Sequence, residues 1–127
     1  MTSLKWLSLT ALMALVPLLF SAFSMADAGD AADQEIGFLI TSVEESGCVF
    51  VRNGDEHSSE DAADHLRLKY RRGKRYAGSA EQFIERLASE SSWTGKPYYI
   101  QCADTGKHLS KDWLTDQLTG FRASQTH

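Results

Sequence analysis

Cys48 and Cys102 are the only cysteines of the chain, and each stands at one end of a short run of strand-forming residues. Cys48-Val49-Phe50-Val51-Arg52 is β-branched and aromatic and stops at Asn53-Gly54, which reads as a strand followed by a tight turn. Tyr98 to Cys102 is a second such run, entered through the turn Thr94-Gly95-Lys96-Pro97. If the two runs pair antiparallel with Cys48 opposite Cys102, Phe50 falls opposite Ile100. Because side chains alternate along a strand, those four residues then share one face. A single register therefore serves a disulfide and an apolar pair together. The loop such a bond closes is about 55 residues, worth ~4 kcal/mol in chain entropy. A reactive thiol has less to support it, since there is no CxxC pair and no histidine adjacent to either cysteine.

A disulfide belongs to an oxidising compartment, and residues 1–26 read as the address. Lys5 supplies a positive start, Trp6 to Phe20 is almost wholly apolar, and Ser24 and Ala26 are the small residues at −3 and −1 of a cut before Asp27. A cut before Gly29 is a second option. The apolar run is marginal for crossing a bilayer, so cleavage is expected rather than anchoring, with no stable membrane insertion afterwards. No cysteine lies near the cut, which excludes a lipoprotein. The expected localisation is periplasmic, and residues 27–127 are one domain's worth of chain. A chain that short buries a modest core and gains from a covalent tie.

The rest of the pattern is helical. Ile36, Leu39, Ile40 and Val43 are spaced i, i+3, i+4, i+7 over residues 31–46, and Gly47 is placed to end that helix. Ser58 with Asp61, and Ser79 with Gln82, are capping-box patterns that open two more helices. The first carries Ala62, Leu66 and Tyr70 and stops at Gly73; the second carries Phe83, Ile84, Leu87 and Ala88. Ser110 is expected to cap a last helix bearing Trp113, Leu114, Leu118 and Phe121, with a frayed polar tail after Arg122. The expected fold class is thus α+β, four helices around a two-stranded antiparallel ribbon in the order αβααβα, with the helices covering the Phe50/Ile100 face.

Two matters of composition bear on function. With 43% apolar and 24% charged residues the chain is not a disordered one. Its formal net charge of −4 makes it a poor general nucleic-acid binder.

Several segments keep a recognisable order and spacing: Cys48-x-Phe50-x-Arg52-Asn53-Gly54, Ala62-x-x-His65-Leu66-x-x-Lys69-Tyr70, Ser79-Ala80-Glu81-Gln82-Phe83-Ile84, Ala88-Ser89-x-Ser91-Ser92-x-Thr94-Gly95-x-Pro97-Tyr98, and Ile100-x-Cys102. In these the chain resembles the YfeK-like family of short secreted proteins of Gram-negative bacteria, over most of residues 36–121. The resemblance implies a periplasmic domain of unknown function, with no assigned activity, cofactor or catalytic residue, so no site carries over. His57 stands where the family pattern leads one to expect a tyrosine, which lowers the weight of any shared role for it.

The most visible chemistry is basic. Arg67, Lys69, Arg71, Arg72, Lys74 and Arg75 fall in one short stretch, interleaved with Tyr70 and Tyr76. Such a cluster suits a phospholipid or lipopolysaccharide head group, a cell-wall phosphate or an acidic protein. The plainer account is a solvated helix end, where cations are stabilising anyway. Asp61, His65 and Lys69 repeat at i, i+4, i+8, a polar edge in which His65 can titrate. His57, Asp61 and His65 together give three side chains of metal-ligand type but match none of the zinc motifs. Ser89, Ser91, Ser92, Thr94 and Gly95 follow a helix rather than open one, so they suit a helix stop better than a phosphate cradle. Trp93 and Tyr99 are not easily placed in a core and, with His65, Ser92 and Thr94, form a candidate polar and aromatic patch.

No catalytic constellation, metal site or cofactor is warranted by these residues. The leading expectation is a non-enzymatic binding module of the cell envelope that uses its basic patch on an envelope protein or an anionic envelope component. The alternative is a small hydrolase or transferase pairing His65 with a serine from 89–92.

Overall fold

A computed structural model describes residues 25–126, together with the isolated positions 14 and 17. Apart from positions 14 and 17, the expected leader lies outside the described residues except for Met25 and Ala26, which begin the first helix. The elements are α1 (Met25–Glu45), β1 (Val49–Arg52), β2 (Asp55–His57), α2 (Ser59–Gly73), a 3-10 turn at Lys74–Tyr76, α3 (Ala80–Leu87), β3 (Tyr99–Cys102), β4 (Gly106–Leu109) and α4 (Ser110–Gln125). No helix among the described residues is long and apolar enough to cross a membrane.

The four helices and the antiparallel pairing are as expected, and so is the register. Phe50 lies opposite Ile100, with Val49 opposite Gln101 and Val51 opposite Tyr99. One step further along the same register, Cys48 and Cys102 form a disulfide with their Cα atoms 4.6 Å apart, the closeness of a directly opposed cross-strand pair.

The strand count differs from the expected ribbon. The sheet has four strands in the order β2-β1-β3-β4, all antiparallel. Asn53 (φ 52°) and Gly54 (φ 84°) both take left-handed conformations, the geometry of a two-residue turn that folds the chain straight back as β2. Gly106 (φ 79°) does the same service for the three-residue loop between β3 and β4. The two added strands, Asp55-Glu56-His57 and Gly106-Lys107-His108-Leu109, are polar and short. They carry no apolar alternation because they are edges, where charge discourages pairing with other chains.

One face of the sheet is covered by helices. Cys48, Phe50 and Ile100 are all buried there, with Ile36, Leu39, Ile40 and Val43 of α1, Phe83, Ile84 and Leu87 of α3, and Leu114 and Leu118 of α4. Trp113 meets Phe50 edge-on at 6.4 Å, and Phe121 stacks on Phe38 at 4.3 Å. The caps at Ser58 and Ser79 form as the pattern requires, each hydroxyl accepting the amide three residues on at 3.1 Å. Ser110 does not cap α4: the N-cap position is Leu109, which offers no side-chain bond, and Ser110 lies inside the first turn and is buried. α4 also runs on to Gln125, past the expected fraying point at Arg122. Arg122 binds both Glu35 of α1 and Glu81 of α3, which ties that last turn to two other helices.

Candidate functional site

The helical period sorts the basic stretch into three directions. Arg67 and Lys74 turn toward α1. Arg67 pairs with Glu44 and also with Asp64 (3.0 Å), and Lys74 pairs with Asp33 (3.2 Å). Tyr70, on the same stripe, donates to Asp33, and burial with that neighbouring carboxylate pushes the phenol up to about 12. Arg71 and Arg75 point outward and are exposed, Arg75 lying 4.7 Å over the ring of Tyr76. His65, Lys69, Arg72 and Tyr76 form the third stripe. Of the six basic residues of the expected patch, only Lys69 and Arg72 therefore line one site together.

The third stripe lines a cleft of about 770 Å³. Across from it stand Arg52 at the end of β1, Tyr98 just before β3, Arg86 of α3, and Ser91, Ser92 and Trp93 of the loop between α3 and β3. Four cations, Arg52, Lys69, Arg72 and Arg86, thus face one space, and no Asp or Glu lines it. None of the four is in a salt bridge among the described residues. In a chain with 17 acidic against 13 basic residues, that separation of charge is a local departure from the average surface. The like charges make themselves felt: burial first, then Arg52, lowers the affinity of Lys69 for its proton, with Glu90 nearby acting in the opposite sense. Lys69 Nζ donates to Tyr98 Oη (3.2 Å) and to the Glu90 carbonyl (3.3 Å).

Trp93 sits at the rim and is 97% exposed. A tryptophan in open water marks a contact surface more often than a packing need. Its loop is nevertheless built rather than loose. Ser91 Oγ, buried, accepts from the amides of Trp93 (3.3 Å) and Thr94 (3.4 Å) and from Asn53 Nδ2 (3.2 Å). Gly95 (φ 70°) lets the chain reverse so that Ser91 N donates to Lys96 O at 3.0 Å.

Of the candidate polar and aromatic patch, His65, Ser92 and Trp93 come together in this cleft. Thr94 does not line it; its hydroxyl bonds to Asn53 Oδ1. Tyr99 lies elsewhere, with Lys107 Nζ 4.5 Å over its ring. Tyr98 takes the place assigned to it. The signal for Tyr98 and Arg52 was available in strand parity. Arg52 shares its face with Cys48 and Phe50, and Tyr98 with Ile100 and Cys102, so both continue the covered face past its apolar part. Arg86 had no such signal.

His65 is neutral at ordinary pH. Burial, then the charges of Arg52 and Lys69 and the neighbouring His57, bring its pKa down to about 4. No hydrogen bond joins it to a serine among the described residues. Ser89 Oγ donates to Ile84 O, and Ser91 Oγ is taken up within the loop. No group of three or more His, Cys, Asp or Glu among the described residues is placed to hold a metal ion.

Fold and site together define a small disulfide-tied α+β domain with a cationic, aromatic-rimmed cleft. Residues 30–122 match a family of unknown function, DUF5329, and the chain belongs to that family. It is 40% identical over 86 residues to a Salmonella typhimurium protein described as uncharacterized, YfeK, a match covering 67% of this chain and 72% of that one. No solved structure matches it.

Proposed function

We propose that this protein is an exported, non-catalytic binding module of the bacterial envelope, and that its cleft holds the anionic group of an envelope component. The observation that carries the reading is the cleft lining: Arg52, Lys69, Arg72 and Arg86 converge with no carboxylate among them. Arginine forks suit phosphate and carboxylate oxygens, and the exposed rings of Tyr76 and Trp93 offer flat surfaces for a sugar or ring attached to the anion. The Cys48–Cys102 bond and the leader-like residues 1–26 support the periplasm as the compartment. The hydrolase or transferase reading, His65 with a serine from 89–92, has less behind it: Ser89 and Ser91 hydroxyls are engaged elsewhere, and Ser92, which lines the cleft with His65, makes no hydrogen bond to it among the described residues.

The test is a titration followed by tryptophan fluorescence, Trp93 being at the rim. Glycerol 3-phosphate is expected to give a saturable change, and glycerol none. Lys69→Ala with Arg72→Ala weakens that binding about tenfold or more, as loss of charge-assisted hydrogen bonds does. Failure of both glycerol 3-phosphate and an acidic peptide to bind saturably overturns the reading.

A further inference from the structure

Beside the cleft lies a second, smaller cavity of about 230 Å³, lined from β1, the end of β2, the N-terminal half of α2 and the start of α4. It shares Arg52, His65 and Tyr98 with the cleft. Among the described residues, three buried side-chain polar atoms have no hydrogen-bond partner in the protein: His57 Nε2, His65 Nε2 and Ser110 Oγ. All three residues line this one cavity. Buried polar groups are ordinarily paired, so three orphans converging on one space are a property of that space and not a scatter of imperfections.

Donor groups outnumber the single carboxylate in the lining. Ser110 is 2% exposed and brings a hydroxyl donor. It stands in the first turn of α4, a sixteen-residue helix whose N-cap supplies no side-chain bond, so the positive end of that helix is directed at the same region. A neutral imidazole presents a donor at Nε2 when that tautomer is chosen. Arg52 adds a full positive charge in the wall, and Asp61 is the one carboxylate in the lining. Phe50, Leu66 and Leu114 make the remaining walls apolar. The space exceeds what one water needs, ~10–15 Å³, many times over, yet falls below the ~300 Å³ at which pockets for drug-sized ligands begin.

We propose that this cavity is a binding site for a small organic acid, its apolar body against Phe50, Leu66 and Leu114 and its carboxylate oxygens taking hydrogen bonds from Ser110, His57 and His65. The proposal stands apart from the cleft: two of its three donors, Ser110 and His57, do not line the cleft, and the ligand is a ring-sized acid and not a head group on a larger molecule. Burial together with Arg52 and Lys69 keeps His65 uncharged near neutral pH, so it serves as a hydrogen-bond donor and not as a counter-ion.

The experiment is an NMR titration of the oxidised protein, obtained by expressing the full chain, with three probes of one size: benzoate, benzyl alcohol and toluene. Benzoate is expected to shift the ring protons of His57 and His65 and the methyls of Leu66 and Leu114 saturably. Benzyl alcohol should bind at least tenfold more weakly. Ser110→Ala should weaken benzoate about tenfold, since a hydrogen bond to a charged group is lost, and His57→Gln, which retains a donor, should weaken it less. Lys69→Ala with Arg72→Ala should leave benzoate binding in place. Three results overturn the proposal: no saturable shift with benzoate; toluene binding as tightly as benzoate, which makes the space a plain apolar void; or benzoate binding that vanishes in the Lys69/Arg72 variant and ignores Ser110→Ala, which puts the anion in the cleft.

Discussion

Thr94 Oγ1 donates to Asn53 Oδ1 at 2.6 Å, so the turn of the first hairpin holds the loop that carries Trp93. Asn53 also donates from Nδ2 to Ser91 Oγ (3.2 Å). One side chain, forty-one residues distant from Thr94 in sequence, thus fixes two points of the loop. The same residue occupies a left-handed turn position that few residues other than asparagine and glycine accept.

Asn53→Gly separates those two duties. The turn survives, because glycine takes φ 52° without strain, but both ties to the loop are lost. Each is partly exposed, so the stability loss should be about 1–2 kcal/mol. Hydrogen exchange of the Trp93–Lys96 amides should rise while the β1 and β3 amides keep their protection. Unchanged exchange in the loop means that Gly95 and the bonds within residues 91–96 shape it without Asn53.

The Cys48–Cys102 bond spans 54 residues, and a loop of that length is worth ~4 kcal/mol of unfolded-state entropy. That is a large share of the ~5–15 kcal/mol by which domains are stable. Urea unfolding with and without reductant should show a midpoint far lower for the dithiol, or no folded protein at all. A midpoint that hardly moves shows that the reduced, unfolded chain is already compact.

Much of the fold was legible because its signals are local and redundant. The α1 face, the caps at Ser58 and Ser79 and the register of Phe50 with Ile100 each follow from spacing over a few residues. β2 and β4 were not legible from apolar alternation, since Asp55, Glu56 and the whole of β4 are exposed and the half-buried residue of β2, His57, is polar. Asn53-Gly54 announced the reversal that makes β2, and a turn of that type implies a returning strand whatever its polarity. Ser110 misled for a different reason. A serine ahead of an apolar run is the usual capping pattern, but Leu109 already takes the cap position, and Ser110 N donates to Tyr98 O at 2.9 Å.

The cleft was half legible. Helical period alone separates residues 65, 69, 72 and 76 from residues 67, 70 and 74, so the basic stretch could have been split on paper. Which stripe meets acids and which meets open space depends on where α1 lies, a tertiary fact. Arg86 joins the cleft only through the packing of α3 on α2, and nothing near it in sequence marks it.

His65 makes stability depend on pH. Its folded pKa of about 4 lies below the ordinary histidine value near 6.5, so the unfolded chain binds the proton more readily. Stability is then full above pH 6.5, falls as the pH drops through that window, and levels off below about 4. Because the ring is only part-buried, the expected loss is about 1–2 kcal/mol and not the full value of the shift. Urea midpoints at pH 7.5 and 4.5 should differ accordingly, and His65→Gln should narrow the difference. An NMR midpoint for His65 near 6.5 removes the basis of this expectation.

The three directions of the α2 cations predict three classes of variant. Arg67→Ala and Lys74→Ala remove partly exposed ion pairs with α1, each worth ~0–1 kcal/mol, so they should lower stability slightly and leave cleft binding alone. Among the described residues Arg71 and Arg75 pair with no acid and do not line the cleft, Arg75 only packing over the Tyr76 ring at its wall; Arg71→Ala should be close to silent in both respects and Arg75→Ala nearly so. Arg72→Ala should do the reverse of Arg67→Ala. It relieves repulsion within an unbalanced group of cations, so stability holds or rises slightly, while affinity for an anionic probe falls about tenfold. The salt dependence of binding offers a second reading of the same point, since fewer cleft cations means a shallower loss of affinity as ionic strength rises. If Arg71→Ala and Arg72→Ala weaken binding equally, the cations act as a diffuse field around the end of α2, and the cleft is not what selects the anion.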